Sequence, residues 1–366
     1  MDTIVDIDVL NTKILECNDV LTCQGDEAMR RFFQTFRGDF SGQAPADPFS
    51  EEYRDFQVRL HERICGRPYS PKNERTHFDL AAYRDRPYPY YLESLPTAGE
   101  YLLAIAFMVR MMDLPPNARV LEFGPGWGET TITLALLGVQ VTAVDIEPNF
   151  CEMLCHRAAQ NRVDIEVVEA DFFWAESVTE PYDAVLFFES FHHCHDHLRL
   201  LRALQTAVKP EGQIIFGAEP IVPGYNIPWG ISMDGHALWS MRNFGWLELG
   251  FNEEYFKAAL SRTGWSAEKH KSGDVPFATA WRARRLAPEL ADAAMAEQPC
   301  PWQEPVATQE PPTAQPAEIG ERMHEAVGMP APSPRELQLE RELAAMREST
   351  SWRLTAPIRG LRRLLG

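Results

Sequence analysis

Between residues 118 and 219, short apolar runs recur five times with helical stretches among them, and this rhythm constrains the chain more than any other feature. "ARVLEFG", "VQVTAVDI", "IEVVEAD", "YDAVLFFES" and "GQIIFGAE" read as strands that are apolar almost throughout. "ETTITLALLG", "NFCEMLCHRAAQNR" and "HLRLLRALQTAVKPEG" carry apolar residues at helical spacing. Strands that must be buried on both faces, joined by helices, build a parallel sheet covered front and back. The predicted class is therefore α/β with a doubly wound, mostly parallel sheet. After the fifth strand come a segment rich in Trp, Gly and Pro, a helix "NEEYFKAALSRTGW", and two short strand candidates near Ser266–Lys271 and Val275–Arg284.

The flanks differ from this core. Residues 1–96 read as a helical N-terminal extension, with apolar residues at helical spacing in "DEAMRRFFQTFRGDF" and "SEEYRDFQVRLHERIC". They end in the extended stretch "RDRPYPYY", which either folds over a cleft as a lid or simply packs on the core. Residues 97–286 form the core domain, with 220–250 as an insert. Residues 287–334 are rich in Pro and Glu and poor in large apolar groups, the composition of a disordered linker. Residues 335–366 follow as a short helix and a basic tail, "STSWRLTAPIRGLRRLLG", with four arginines and spaced leucines. The tail 351–366 is expected to lie on an anionic membrane surface, bind a partner, or dock on the chain's own acidic surface.

Charge and cysteines narrow the function. The formal charge is −18 over 366 residues, and no basic block longer than "RARR" precedes residue 330. Nucleic acid is therefore not the expected partner, because binding it rests on Lys and Arg neutralising phosphates. The opening "MDTIVDIDVL" is acidic where a secretory leader would be basic, and "YLLAIAFMV" falls short of the roughly 20 residues of a membrane span. Seven scattered cysteines without a CxxC pair suit a reducing compartment. A cytoplasmic protein is expected, with a peripheral position at the inner membrane face left open by the tail.

The candidate binding loop is "VLEFGPGWGETT". Gly124, Gly126 and Gly128 follow the first strand and open a helix, as in loops that let the backbone pass close under a ligand. Two residues before Gly124 stands Glu122, an acid unwelcome beside a pyrophosphate but suited to a ligand carrying positive charge. Asp145 ends the second strand 21 residues after Gly124, where an acid can accept both hydroxyls of a ribose. Asp171 ends the third strand, within reach of an adenine amino group.

"LEFGPGWG", "VTAVDIEP", "EADFF" and "KPEGQIIF" together resemble the ordered motifs of class I S-adenosylmethionine-dependent methyltransferases, over roughly residues 97–285. The resemblance implies a Rossmann-like sheet of seven strands with the last antiparallel. It also implies S-adenosylmethionine as cofactor, held by Glu122 and the glycine loop at the methionine end, by Asp145 with neighbouring Ile146 at the ribose, and by Asp171 with neighbouring Phe172 at the adenine.

Methyl transfer to a poor nucleophile such as a hydroxyl calls for a base. The fourth strand runs into "FFESFHHCHDH", which puts Glu189, His192 and His193 where catalysis is expected, His192 or His193 serving as the base. His195 and His197 read as packing groups beside a helix capped by Asp196. No metal is expected, since consecutive residues rarely converge on one ion and no second ligand group stands at a fixed spacing. In the insert, Tyr225, Trp229, Asp234, His236 and Arg242 mix aromatic faces with polar groups, as a sugar-binding surface does, although indoles more often simply bury area. The tail string "STSWRLTAPIR" resembles a short element found at the ends of bacterial glycosyltransferases and other enzymes of surface-polysaccharide assembly. The expected reaction is therefore methylation of a saccharide hydroxyl. A small-metabolite O- or N-methyltransferase and a non-catalytic cofactor-binding scaffold are the alternatives.

Overall fold

The computed structural model describes residues 1–287 apart from 41, 43, 93, 274 and 276. All of the expected linker except Ala287, and the whole of the tail, lie outside the described residues.

Seven strands form the central sheet: β1 (Arg119–Phe123), β2 (Gln140–Asp145), β3 (Ile165–Glu169), β4 (Tyr182–Phe188), β5 (Val208–Gly217), β6 (Trp265–Lys271) and β7 (Thr279–Arg285). Their order is β6-β7-β5-β4-β1-β2-β3. β1 pairs in parallel with β2 and β4, while β7 runs antiparallel to both β5 and β6. The strand order reverses at β1 and β4, so their carboxyl ends open a crevice, the place where such sheets bind ligands.

Both faces are covered, as continuous apolar strands require. On one face Phe123, Phe187 and Phe216 stack across β1, β4 and β5, with ring centroids 5.5 Å apart at each step. On the other, Val120, Ala184, Leu186 and Ile215 meet Ala104, Ile105, Met108 and Met112 of the helix Leu95–Met112. That helix is long and apolar enough to cross a membrane by length and composition. It packs instead against β5 and β7, so closely that a Cβ on Gly217 would stand 2.8 Å from the Met108 sulfur.

The N-terminal extension contains the helices Ile7–Gln24, Asp26–Phe33 and Glu51–Cys65, and a short parallel ribbon of Asp2–Ile4 with Phe36–Gly38. These three helices pack on the insert helix Gly235–Asn243. The insert also forms a small sheet, in which Leu249–Asn252 lies between Ile221–Val222 and Trp229–Ile231. Extension and insert together make one layer over the carboxyl edge of β4 and β5.

Candidate functional site

The glycine loop turns sharply because Gly124, Gly126 and Gly128 take φ of 65°, 50° and 80°, the left-handed region that side chains disfavour. At Gly124 there is a second reason: a Cβ would stand 2.7 Å from that of Ser190, in the loop after β4. At Gly126 nothing lies within 4 Å of such a Cβ, so open space borders the middle of the loop.

Glu122 does not face that space directly. It is 1% exposed, and its two oxygens accept the hydroxyls of Thr130 and Thr131, the latter at 2.6 Å. Burial pushes its carboxyl up to about 7, opposed by the two threonine hydrogen bonds and reinforced by the charge of Asp145. Among the described residues no Lys, Arg or His pairs with it. Asp145 is bound more rigidly: Oδ2 accepts from the Gly126 amide at 3.1 Å and Oδ1 from that of Glu147 at 2.8 Å. Burial brings it up to about 6 against the pull of those amides.

The remaining expected cofactor residues line the same edge. The Ile146 carbonyl accepts from Arg75 Nε at 3.1 Å. Asp171 caps a short helical turn by accepting the Phe173 amide at 2.9 Å, and Phe172 packs on Phe123 and Phe187. The stretch 71–92 runs over the ends of β1–β3. Phe78, Phe150 and Trp127 form a three-ring cluster with centroids 4.8–5.1 Å apart, and the Tyr90 hydroxyl donates to Glu129 at 3.2 Å. An open loop floored by buried acids fits a ribose-bearing cation better than a pyrophosphate.

The loop after β4 is built around Glu219, which follows β5 and is 5% exposed. Its carboxylate accepts the amides of Ser190 and Phe191, each at 2.8 Å, the amide of His192 at 3.2 Å and His192 Nδ1 at 2.8 Å. Burial alone would raise this carboxyl; the adjacent imidazole and the amides outweigh it and hold Glu219 below the usual carboxylate range. Ser190 adds a bond from Oγ to the Phe123 carbonyl at 2.8 Å, tying β1 to β4.

Glu189 and Ala218, at the ends of neighbouring strands, both take positive φ, 51° and 54°. Left-handed backbone outside glycine costs of order 1 kcal/mol and concentrates at functional sites. Glu189 remains exposed between buried Phe188 and Ser190, yet the surrounding protein pushes its carboxyl up to about 7. Open surface combined with a desolvated carboxyl describes a group lining an internal recess.

His193 turns Nδ1 onto the Leu247 carbonyl at 2.8 Å, with Glu74 at 3.2 Å. Burial disfavours its charged form, but the Glu74 hydrogen bond and the charges of Glu248 and Glu219 prevail and bring it up to about 9. Glu248 lies 3.7 Å from His192 Nε2. No local spacing links the carboxylates Glu74, Glu219 and Glu248 to these histidines, because they come from segments well separated from them in sequence.

His195 and His197 are packing groups, as expected. Asp196 caps the following helix through the Arg199 amide at 3.0 Å, and buried His197 meets the Tyr255 hydroxyl at 2.8 Å. On the helix after β2, Cys151 is partly buried and Cys155 is exposed, because the helix turns that position outward.

The five insert residues expected to meet a substrate are used by the fold itself. Trp229 is 2% exposed and donates its indole N–H to the Pro48 carbonyl at 2.8 Å. The Tyr225 hydroxyl donates to the Gly230 carbonyl at 3.0 Å, and its ring lies over Gly250. Asp234 caps its helix by accepting the amides of His236 and Ala237, while the His236 ring lies 5.3 Å from that of Phe33. Arg242 donates to the Ile64 carbonyl at 2.8 Å and to Asn11. Trp229, His236 and Arg242 fasten the insert to the extension, while Tyr225 and Asp234 hold the insert to itself, with Asp234 and His236 exposed.

Residues 120–212 match the family model described as "Methyltransferase domain". The chain is 34% identical over 101 residues to a ubiquinone biosynthesis O-methyltransferase of Xanthomonas campestris pv. campestris (strain B100), covering 27% of this chain and 42% of that protein. An uncharacterized methyltransferase of Oceanobacillus iheyensis is 30% identical over 101 residues, covering 27% and 46%. The chain thus spans less than half the length of the curated relatives it matches. A solved Burkholderia thailandensis 1,6-didemethyltoxoflavin-N1-methyltransferase, with 1,6-didemethyltoxoflavin and S-adenosylhomocysteine bound, superposes with a TM-score of 0.41 at 17% identity, covering 69% of this chain and 99% of that one. The similarity to methyltransferases thus lies in residues 120–212, the stretch that holds β1 to β4 and the glycine loop.

Proposed function

We propose that the whole chain is an S-adenosylmethionine-dependent O-methyltransferase whose acceptor is a small molecule. The observation that carries the reading is the open space at Gly126, whose amide is held by Asp145, with buried Glu122 on the strand that leads into the loop. When bound there, S-adenosylmethionine supplies a methyl group already activated on a sulfonium. Glu122 contributes negative potential beneath it, Asp145 accepts the ribose hydroxyls, and Asp171 with Phe172 borders the adenine.

Glu189 takes the proton of the acceptor hydroxyl. Its open surface and raised carboxyl suit a base working near neutral pH. His192 and His193 line the same recess, His192 held in orientation by Glu219. Since extension and insert cover this edge of the sheet, the residues exclude bulk water and admit a compact acceptor.

A saccharide acceptor has less support, because the aromatic residues it would use are engaged in packing. The relatives that match the domain include a named O-methyltransferase of ubiquinone biosynthesis, and this favours a small hydroxylated acceptor. The test is transfer of a labelled methyl group from S-adenosylmethionine into separated pools of phenolic and quinol metabolites, other small molecules, and glycans, with Asp145→Asn as control. Label in the small-molecule pool that disappears with the control supports the proposal. Label in glycans alone would overturn the acceptor, and no label in any pool would overturn the activity.

A further inference from the structure

We propose that His192, His193 and Glu248 form a binding site for one divalent first-row metal ion at the acceptor side of the recess. One ligand atom from each lies within 4.8 Å of the other two, and all three residues are partly buried. Binding at about 2.1 Å to each atom would require them to close by only about an ångström. Two imidazoles and one carboxylate leave several coordination positions for water or substrate, the ligand set of non-haem Fe(II) sites, and imidazoles also suit Zn, Co and Ni.

The surroundings are those of a metal site as well. His192 turns Nδ1 onto the Glu219 carboxylate, and His193 turns Nδ1 onto the Leu247 carbonyl, each at 2.8 Å. Hydrogen bonds to acceptors at Nδ1 leave Nε2 as the atom with a lone pair to offer, and such bonds orient most metal-bound histidines. Glu248 keeps 12% of its side chain exposed; its carbonyl accepts the Ser232 amide at 2.7 Å, and its carboxylate faces His192 with no hydrogen-bond donor among the described residues. A carboxylate so withdrawn from water needs a cation or donors, and the nearest charged partner is His192 Nε2 at 3.7 Å. With Glu74 and Glu219 adjoining, three carboxylates surround two imidazoles, a surplus of negative charge that a divalent ion offsets.

The site's role rests on the methyl-transfer reading. An acceptor oxygen on the open positions would lose its proton more readily, as metal-bound water does, and that proton would pass to Glu189. Metal binding itself does not depend on that reading.

The experiment is titration of the full chain, freed of metal with a chelator, with Co²⁺ and with Zn²⁺. Calorimetry and the visible absorption of Co²⁺ are the readouts, and binding of S-adenosylhomocysteine is measured in parallel. One equivalent of metal is expected, with d–d bands of nitrogen and oxygen ligation. Affinity is expected to fall about ten-fold or more in Glu248→Gln, and again in Glu219→Gln through the loss of orientation. S-adenosylhomocysteine binding shows that each variant is folded. Failure to bind one equivalent, or equal binding by wild type and both variants, overturns the site while leaving methyl transfer standing. Stoichiometric metal without any cofactor binding would retain the site and overturn the proposed function.

Discussion

Asp145 Oδ2 accepts the amide hydrogen of Gly126 at 3.1 Å, so the end of β2 and the middle of the glycine loop are a single unit. Replacing Asp145 by Asn turns one acceptor into a donor that opposes an amide. Affinity for S-adenosylhomocysteine is expected to fall by about 10- to 100-fold, the cost of a charge-assisted hydrogen bond of roughly 1.5–3 kcal/mol. Calorimetric titration checks it; unchanged affinity would remove Asp145 from the cofactor site.

Glu122 links pH to stability. Its folded carboxyl sits at about 7, above its unfolded value, so the stability it contributes is complete at low pH and is lost as pH rises through about 7. Glu122→Gln escapes that loss. The variant is expected to be more stable than wild type at pH 8.5 in urea denaturation, by on the order of 2 kcal/mol, with the gap closing toward pH 4.5. It should also bind S-adenosylmethionine less well, and lose more affinity for it than for S-adenosylhomocysteine, which lacks the sulfonium charge. Equal losses for both ligands would show that Glu122 does not sense that charge.

Two glycines of one loop should respond differently to the same methyl group. Gly124→Ala meets Ser190 and should cost about 1–3 kcal/mol, with activity lost as the β4 loop shifts. Gly126→Ala meets no protein atom, so only backbone strain of about 1 kcal/mol is expected, while the methyl enters the cofactor's space. Thermal melts and cofactor titrations of the pair separate the two effects.

If Glu189 removes the acceptor proton, Glu189→Gln should lower kcat by about 100-fold and leave cofactor affinity unchanged. The wild-type rate should rise with pH through about 7, and the variant should lose that limb. A variant that keeps the limb would assign the base elsewhere.

Trp229→Phe tests whether the insert is structural. It removes the shorter of two hydrogen bonds to the buried Pro48 carbonyl, the Tyr255 hydroxyl at 3.4 Å remaining, and should cost about 1 kcal/mol of stability with KM for the acceptor unchanged. A raised KM in a fully stable variant would return Trp229 to the substrate surface.

The strands and the turn of the glycine loop were legible because their signals are local. Apolar runs spelled out β1 to β5, and Glu122, the glycines and Asp145 sit at fixed offsets from strand ends. The surroundings of His192 and His193 were illegible for the opposite reason. Glu74 arrives from the extension, and Glu219 and Glu248 flank the insert, so only the folded arrangement joins them. The packing of the insert was illegible because a Trp has the same letter whether its ring faces a ligand or a core. At Trp229 the deciding fact is Pro48, 181 residues away, which takes the indole hydrogen.

Glu74, Tyr90 and Arg75 all precede residue 97, yet they hold His193, Glu129 and the β2–β3 edge. A fragment trimmed to the seven strands would lose three fastenings of its crevice together with the apolar core that the extension shares with the sheet. A boundary drawn by likeness to other proteins would therefore leave out residues on which this crevice depends.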